Sequence, residues 1–294
     1  MEYDHLKGTG VALVTPFKED LSIDFEALEA ILEHVIGGGV NFLVVLGTTG
    51  ETSLLTHQEK LSVIRFVKEK DAGRLPLVLG YGGNCTTRMI EELKEFDFEG
   101  YEAILSVTPF YVKPTQQGLL AHYTVLADAS PLPVILYNVP GRTGVNMTTD
   151  TTIALASHKN IIGVKEASGK LFQTEEILLR RPDDFLLYSG EDALTFHLMN
   201  LGADGVISVV ANAFPRETAA IVKAEASQDA FSLAQQSHYA LKVLTKAVFA
   251  DGNPCGIKYV LSRLGLSKNI VRLPLVPVSE ATAATIDTEL KGLA

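Results

Sequence analysis

One feature constrains this chain more than any other: a change of period that repeats eight times. Short apolar runs rich in β-branched residues recur at positions 11–15, 42–46, 77–80, 103–107, 134–137, 161–165, 185–189 and 205–209. Stretches with helical spacing lie between them, for example at 25–36, 58–70, 88–96 and 119–127. In the first of these, Leu28, Ile31, Leu32 and Val35 fall at i, i+3, i+4 and i+7, which is one buried face of a helix. The apolar runs are nearly continuous rather than alternating, as expected of parallel strands covered by helices. Eight strand–helix units between positions 11 and 228 predict an α/β fold, a closed (β/α)8 TIM barrel. An open doubly wound sheet is the structural alternative, but no run leads into GxGxxG, so the usual dinucleotide site of that fold is missing.

Beyond about position 228 the strand-like runs largely disappear. Helical stretches are expected at 230–249, 256–264 and 280–291, and the segment RLPLVPV at 272–278, with two prolines, reads as an extended connector. The 294 residues therefore divide into a catalytic barrel, 1–228, and a C-terminal helical region, 229–294, rather than into two equal domains. Apart from the strand–helix period there is no repeat and no low-complexity segment.

Charge and composition exclude several classes of function. Lys and Arg number 25 against 35 Asp and Glu, a formal net charge of −10, so a basic surface that tracks nucleic-acid phosphates is not expected. The first residues, MEYDHLKGTG, carry neither the basic nor the apolar stretch of a secretory leader. No uncharged apolar run is long enough for a membrane span, and a cytoplasmic location is expected. Cys85 and Cys255 stand far apart and are expected as free thiols. The seven histidines are scattered singly with no metal-binding spacing, so no metal site is expected.

In a βα barrel the active site is built by the loops at the C-terminal strand ends. Lys165 ends the run Ile161-Ile162-Gly163-Val164, a cation inside an apolar strand. Desolvation disfavours an ammonium and favours the free amine that can attack a carbonyl. A strand-end lysine neutralised by Glu166 is the plainer reading. Gly47-Thr48-Thr49-Gly50 offers hydroxyls and backbone N–H groups suited to a small carboxylate, or it simply caps a helix. Tyr137 and Tyr111 are phenols that pass protons if hydrogen-bonded in a chain with Thr48, or side chains that only pack. Arg142, just past a Pro-Gly turn, can grip a carboxylate bidentately, or lie on the surface.

Three motifs, Gly47-Thr48-Thr49-Gly50-Glu51, Tyr137-Asn138-Val139-Pro140-Gly141-Arg142-Thr143 and Gly163-Val164-Lys165-Glu166-Ala167-Ser168, stand in an order and spacing that resembles the pyruvate-dependent class I aldolase superfamily, in its dihydrodipicolinate synthase branch. The resemblance runs from about Gly8 to Leu266. It implies a condensation of pyruvate with aspartate-4-semialdehyde toward diaminopimelate and lysine. By the same resemblance, Lys165 forms the Schiff base with pyruvate and Thr48 and Thr49 hold its carboxylate. Tyr137, Thr48 and Tyr111 form the proton relay, and Arg142 binds the semialdehyde carboxylate. Backbone carbonyls near Gly190 and Ile207 complete the pocket. The resemblance also implies a homodimer in which Tyr111 reaches the neighbouring subunit's site, usually within a homotetramer. The iminium is itself an electron sink, so the resemblance implies a reaction that needs no metal and no organic cofactor.

Two departures from the family pattern carry expectations. Thr52, Ser53, His57, Lys60, Asn84, Arg88 and Phe110 match the family's lysine-inhibition site. Enteric-type lysine-sensitive members resemble this chain there but have histidine, glutamate and tyrosine in place of Lys60, Arg88 and Phe110. Two added cations and a lost hydroxyl predict weak or absent inhibition by lysine. In Asn253-Pro254-Cys255-Gly256-Ile257-Lys258, Gly256 replaces a second proline, and only a local change without catalytic consequence is expected. Among other functions, an N-acetylneuraminate lyase or a ketodeoxygluconate-type aldolase would keep the Schiff base and change the electrophile, but such relatives generally lack an arginine matching Arg142. An inactive barrel would not need the full residue set. A metal-dependent aldolase would need a histidine cluster.

Overall fold

The computed structural model describes residues 2–224 and 227–293. Its centre is a closed parallel barrel of β1 (Gly8–Ala12), β2 (Phe42–Val45), β3 (Leu77–Gly80), β4 (Ala103–Val107), β5 (Val134–Asn138), β6 (Ile161–Glu166), β7 (Leu186–Ser189) and β8 (Gly205–Ser208), in sequence order around the ring. The ring closes where β8 pairs with β1, Gly8 opposite Gly205 and Gly10 opposite Ile207. That closure decides against the open sheet. Helices Phe25–Gly37, His57–Asp71, Thr86–Glu92, Gln116–Ala129, Thr149–Ala156, Leu171–Arg180, Thr195–Asn200 and Pro215–Val222 follow the eight strands.

Local chemistry sets the helix starts. The Asp24 side chain accepts from the N–H of Ala27. Thr56 and Glu59 form a reciprocal capping box, with the Thr56 N–H donating to the Glu59 carboxylate at 2.8 Å and the Glu59 N–H donating to Thr56 Oγ1 at 3.3 Å.

Two apolar layers explain why the strands read as continuous apolar runs. Alternate residues point inward and outward, so Phe42 and Val44 fill the barrel while Leu43 and Val45 meet the helices. The inner layer also holds Tyr137, Tyr188, Ile162 and Ile207. Both faces are buried, so most positions on either face are apolar.

The observed strand ends differ from the expected ones in a way that has a cause. β1 starts three residues earlier than 11–15 and stops at Ala12, because its ladder to β8 needs the Gly8–Gly205 seam. A Cβ on Gly205 would lie 2.0 Å from the Gly8 carbonyl oxygen. Residues 13–15 run on above the sheet, the Val14 N–H donating to Asn212 Oδ1 at 3.1 Å and the Thr15 hydroxyl to the Gly50 carbonyl at 2.8 Å. β5 and β6 each extend one residue past expectation, to Asn138 and Glu166. Pro140–Thr143 forms a single helical turn with its proline in the first turn and Gly144 in the left-handed region at its end.

The C-terminal helices Gln228–Ala250, Cys255–Arg263 and Glu280–Leu293 pack on one flank of the barrel. Their Leu244, Val248, Ile257, Val260, Leu261 and Ile286 join the same apolar cluster as the outer barrel layer. At Gly256 a Cβ would lie 2.0 Å from the Val248 carbonyl oxygen, so two of these helices touch backbone to backbone, which a proline would prevent. Among the described residues no helix is long and apolar enough to cross a membrane.

Candidate active site

Lys165 sits near the C-terminal end of β6, opposite Tyr137 of β5 and Tyr188 of β7 in the ladder. Only 5% of it is exposed, and its Nζ lies 4.5 Å from the centre of the Tyr137 ring. Glu166, the next residue along the strand, points to the other face. There its carboxylate accepts from Asn138 Nδ2 at 2.9 Å, from the Ser168 N–H at 2.7 Å and from Gln173 Nε2 at 3.2 Å. The plainer reading, a lysine neutralised by Glu166, therefore fails on geometry. Among the described residues Lys165 has no ion-pair partner.

Thr48, Thr49 and Gly50 make a one-turn 3-10 helix after β2, entered from extended Gly47 and left through Glu51 at φ +53°. The N–H groups of Gly50 and Glu51 are consumed by the turn, donating to the carbonyls of Gly47 and Thr48 at 3.1 Å each. The threonine hydroxyls and the first amides of the turn are the groups it can offer to a ligand. Thr49 is buried, and its hydroxyl oxygen accepts from Asn253 Nδ2 at 3.0 Å. Arg142, on the short helix after β5, is exposed and donates from Nη2 to the main-chain carbonyl of Asn253 at 3.2 Å.

Tyr137 is buried in the inner layer, whereas Tyr111 is 86% exposed. Tyr111 has φ +71°, and its N–H donates to the Thr143 carbonyl at 3.4 Å, which ties its loop to the turn that carries Arg142. Among the described residues no hydrogen bond joins the hydroxyls of Tyr137, Thr48 and Tyr111 within one protomer. Gly190 follows β7 and donates its N–H to the Glu166 carbonyl at 2.8 Å. A Cβ there would meet Ala167 Cβ at 2.6 Å, so only glycine allows the approach. Ile207 is buried on β8 beside Gly10. The structure thus gathers Lys165, Tyr137, Thr48, Thr49, Arg142, Gly190 and Ile207 at one end of the barrel, and leaves Tyr111 turned outward.

Two carboxylates beyond β7 shape the electrostatics. Burial raises Asp192 above the usual carboxylate range, against the Ser208 hydroxyl and the Val209 N–H that bond its charged form. Glu191 is raised by burial and by Asp192 beside it, with Lys165 and Arg142 opposing.

Sequence reasoning missed a second buried lysine. Lys258, 1% exposed, is ion-paired to Glu51 and also donates to the Ile270 carbonyl at 3.0 Å. Its Nζ lies 4.0 Å from the centre of the Phe17 ring, and burial lowers its pKa to about 8 despite the carboxylate beside it. Glu51 Oε2 in turn accepts the Arg272 N–H at 3.1 Å. The segment 253–258 therefore reaches the candidate site through Asn253 and Lys258, farther than its place in the helical region suggests. A faint signal existed: Lys258 lies beside the apolar face formed by Ile257, Val260 and Leu261.

Comparison with known proteins places this architecture. A family model described as "Dihydrodipicolinate synthetase family" matches residues 5–293. The 4-hydroxy-tetrahydrodipicolinate synthase of Parabacteroides distasonis is 49% identical over 290 residues, covering 98% of this chain and 97% of that one. Among solved structures, a chloride-inhibited dihydrodipicolinate synthase from Acinetobacter baumannii, complexed with pyruvate, superposes with TM-score 0.93 at 38% identity, covering 97% of this chain and 98% of that one. The enzyme from Cyanidioschyzon merolae, solved with lysine bound, gives TM-score 0.93 at 37% identity and 99% coverage of both chains.

Proposed function

Because this chain belongs to the dihydrodipicolinate synthetase family, and so to the Schiff-base-forming lyases of the class I aldolase type, we propose that it is a 4-hydroxy-tetrahydrodipicolinate synthase. It condenses pyruvate with L-aspartate-4-semialdehyde. The observation that carries this reading is Lys165, a buried amine beside Tyr137 with no carboxylate paired to it among the described residues.

The Lys165 amine adds to the keto carbon of pyruvate and water leaves, giving an iminium. Loss of a methyl proton turns the iminium into an enamine, whose carbon attacks the aldehyde of the semialdehyde. The amino group of the semialdehyde then displaces Lys165 from the imine carbon and closes the ring. The iminium takes up the electron pair when the methyl proton leaves and when the amino group adds. The aldehyde oxygen takes it up with a proton when the new carbon–carbon bond forms, so the protein's task is to hold two carboxylates and move protons. Thr48 and Thr49 hold the pyruvate carboxylate, Arg142 the semialdehyde carboxylate, and the carbonyls near Gly190 and Ile207 line the pocket.

Tyr137, Thr48 and Tyr111 move the protons in an assembled dimer. Support comes from the loop at Phe110-Tyr111-Val112, three successive exposed side chains. A bulky residue at positive φ costs about 1–2 kcal/mol, and within one protomer Tyr111 gains no burial that would offset it. A second copy of the chain, supplying that burial, puts the phenol in the neighbouring site.

Lysine inhibits this enzyme weakly or not at all. Arg88 is already paired with Glu92 at 2.7 Å, so the discrimination against a cationic amino acid rests on Lys60 and on the missing hydroxyl at Phe110. Half-maximal inhibition by submillimolar lysine would overturn this.

The decisive experiment is borohydride reduction in the presence of pyruvate, followed by peptide mass mapping. The adduct is expected on Lys165. An adduct on Lys258, or on no lysine, sinks the mechanism. Turnover of N-acetylmannosamine or glyceraldehyde in preference to the semialdehyde would sink the choice of electrophile.

A further inference from the structure

We infer that Asn253, contributed by the C-terminal helical region, is a positioning residue that fixes Thr49 as a hydrogen-bond donor to the pyruvate carboxylate and holds Arg142 through its own main chain. The inference rests on the function proposed above and deepens it. Two contacts carry it. Asn253 Nδ2 donates to Thr49 Oγ1 at 3.0 Å, and the Asn253 carbonyl accepts from Arg142 Nη2 at 3.2 Å. One residue from outside the barrel thus touches a side chain proposed for each substrate carboxylate.

A threonine hydroxyl has one hydrogen to give. Where the hydroxyl oxygen accepts from an amide N–H, that hydrogen is left for another acceptor, and in this pocket the acceptor is a carboxylate. If the neighbour were itself an acceptor, the hydroxyl would turn toward it and be lost to the substrate. Asparagine at 253 therefore sets the direction of the Thr49 hydroxyl.

Burial supports a role beyond filling space. Asn253 is 7% exposed, and its Oδ1 has no hydrogen-bond partner among the described residues. Leaving a buried polar atom unpaired costs about 1–3 kcal/mol, which an apolar side chain of similar size would avoid. A carboxamide kept at that cost is there for its donor.

The two contacts also differ in kind, and that makes the inference testable. Thr49 is held by the Asn253 side chain, whereas Arg142 is held by its backbone. Substituting the side chain should disturb pyruvate and spare the semialdehyde. Asn253→Asp, nearly isosteric, replaces the donor by an acceptor that captures the Thr49 hydroxyl and adds a negative charge beside the carboxylate. We expect its KM for pyruvate to rise about tenfold or more, with kcat and the semialdehyde KM within about threefold of wild type. Asn253→Ala should raise the pyruvate KM about fivefold, and less than about twofold when Thr49 is already Val, because the two residues act through one hydrogen bond.

Thermal unfolding and borohydride trapping accompany the kinetics. An unchanged pyruvate KM in Asn253→Asp, with Lys165 trapped normally, overturns the positioning role and leaves the proposed function standing. Equal rises in both KM values, or an Asn253→Ala effect as large in the Thr49→Val background as in wild type, would also overturn it. Should wild type itself give no pyruvate adduct on Lys165, the parent reading falls and takes this one with it.

Discussion

Lys165 and Lys258 are both buried, both carried on regular elements and both close to an aromatic ring, yet they occupy opposite electrostatic situations. Lys258, at the junction of barrel and C-terminal helices, is clamped by Glu51 and the Ile270 carbonyl over Phe17. Lys165, inside the barrel beside Tyr137, has no such clamp, because strand alternation turns the neighbouring Glu166 to the other face. Burial lowers the Lys258 pKa to about 8, which by itself would nominate it as the nucleophile. Geometry says otherwise. The carboxylate and the carbonyl that hold Lys258 Nζ favour its charged ammonium, which has no lone pair to offer, whereas no carboxylate among the described residues holds Lys165 that way. A reactive lysine needs burial and also an unoccupied direction of approach.

Five substitutions break or sharpen that contrast. The largest effect is expected at Lys165. Lys165→Ala should lower kcat about 10³-fold or more, with the unfolding temperature close to wild type, since no ion pair is lost. Lys258→Met should act the other way. It leaves the buried Glu51 carboxylate uncompensated and costs about 3–5 kcal/mol of stability, read by urea unfolding. Adding Glu51→Gln should recover a large part of that loss. If Lys258→Met abolishes turnover as fully as Lys165→Ala while remaining folded, the contrast is wrong.

Tyr111 tests whether the site around Lys165 is completed by a second copy. Tyr111→Phe should lower kcat about 10–100-fold. Mixed dimers of Tyr111→Phe and Lys165→Ala subunits should recover activity, because one of their two sites then holds both an intact lysine and an intact tyrosine. No recovery beyond independent sites would remove the donated tyrosine.

The smallest effect concerns the surroundings of Lys258. Arg272 stacks on the same Phe17 ring and ion-pairs with Glu59, and this hydrogen bond depresses the Glu59 pKa from 4.5 to about 2. The stabilisation from a depressed carboxylate is complete above the unfolded value and is lost as pH falls through the folded one. Glu59→Gln should therefore cost about 1 kcal/mol at pH 7, and the difference from wild type should shrink between about pH 4.5 and 2. A difference that stays constant across that window would place the effect in packing rather than in charge.

Much of the barrel was legible in the sequence because its signals are local. Strand and helix periods show within a dozen residues, and a lone cation at the end of an apolar run marks Lys165 without reference to anything distant. β1 was misplaced because its limits come from the Gly8–Gly205 seam, a pairing that no local period records. The single turn Pro140–Thr143 is too short to show a period at all. The motif at 253–258 was noticed, but the contacts of Asn253 were not, since nothing in its neighbourhood points to Thr49 or Arg142.

By itself, the sequence determined the order of eight strands and helices, the polar residues at their C-terminal ends and the lone cation, Lys165, at the end of an apolar strand. These follow from side-chain pattern along the chain, where each choice is decided by neighbours within a few positions. Tertiary structure alone decided which of the two buried lysines has no ion-pair partner among the described residues, that Asn253 bridges the threonine turn and Arg142, and that Tyr111 is exposed. Those outcomes depend on contacts between segments more than two hundred residues apart. A hydrogen bond across that distance is set by how the barrel closes and where the C-terminal helices dock, and no local stretch of sequence contains that information.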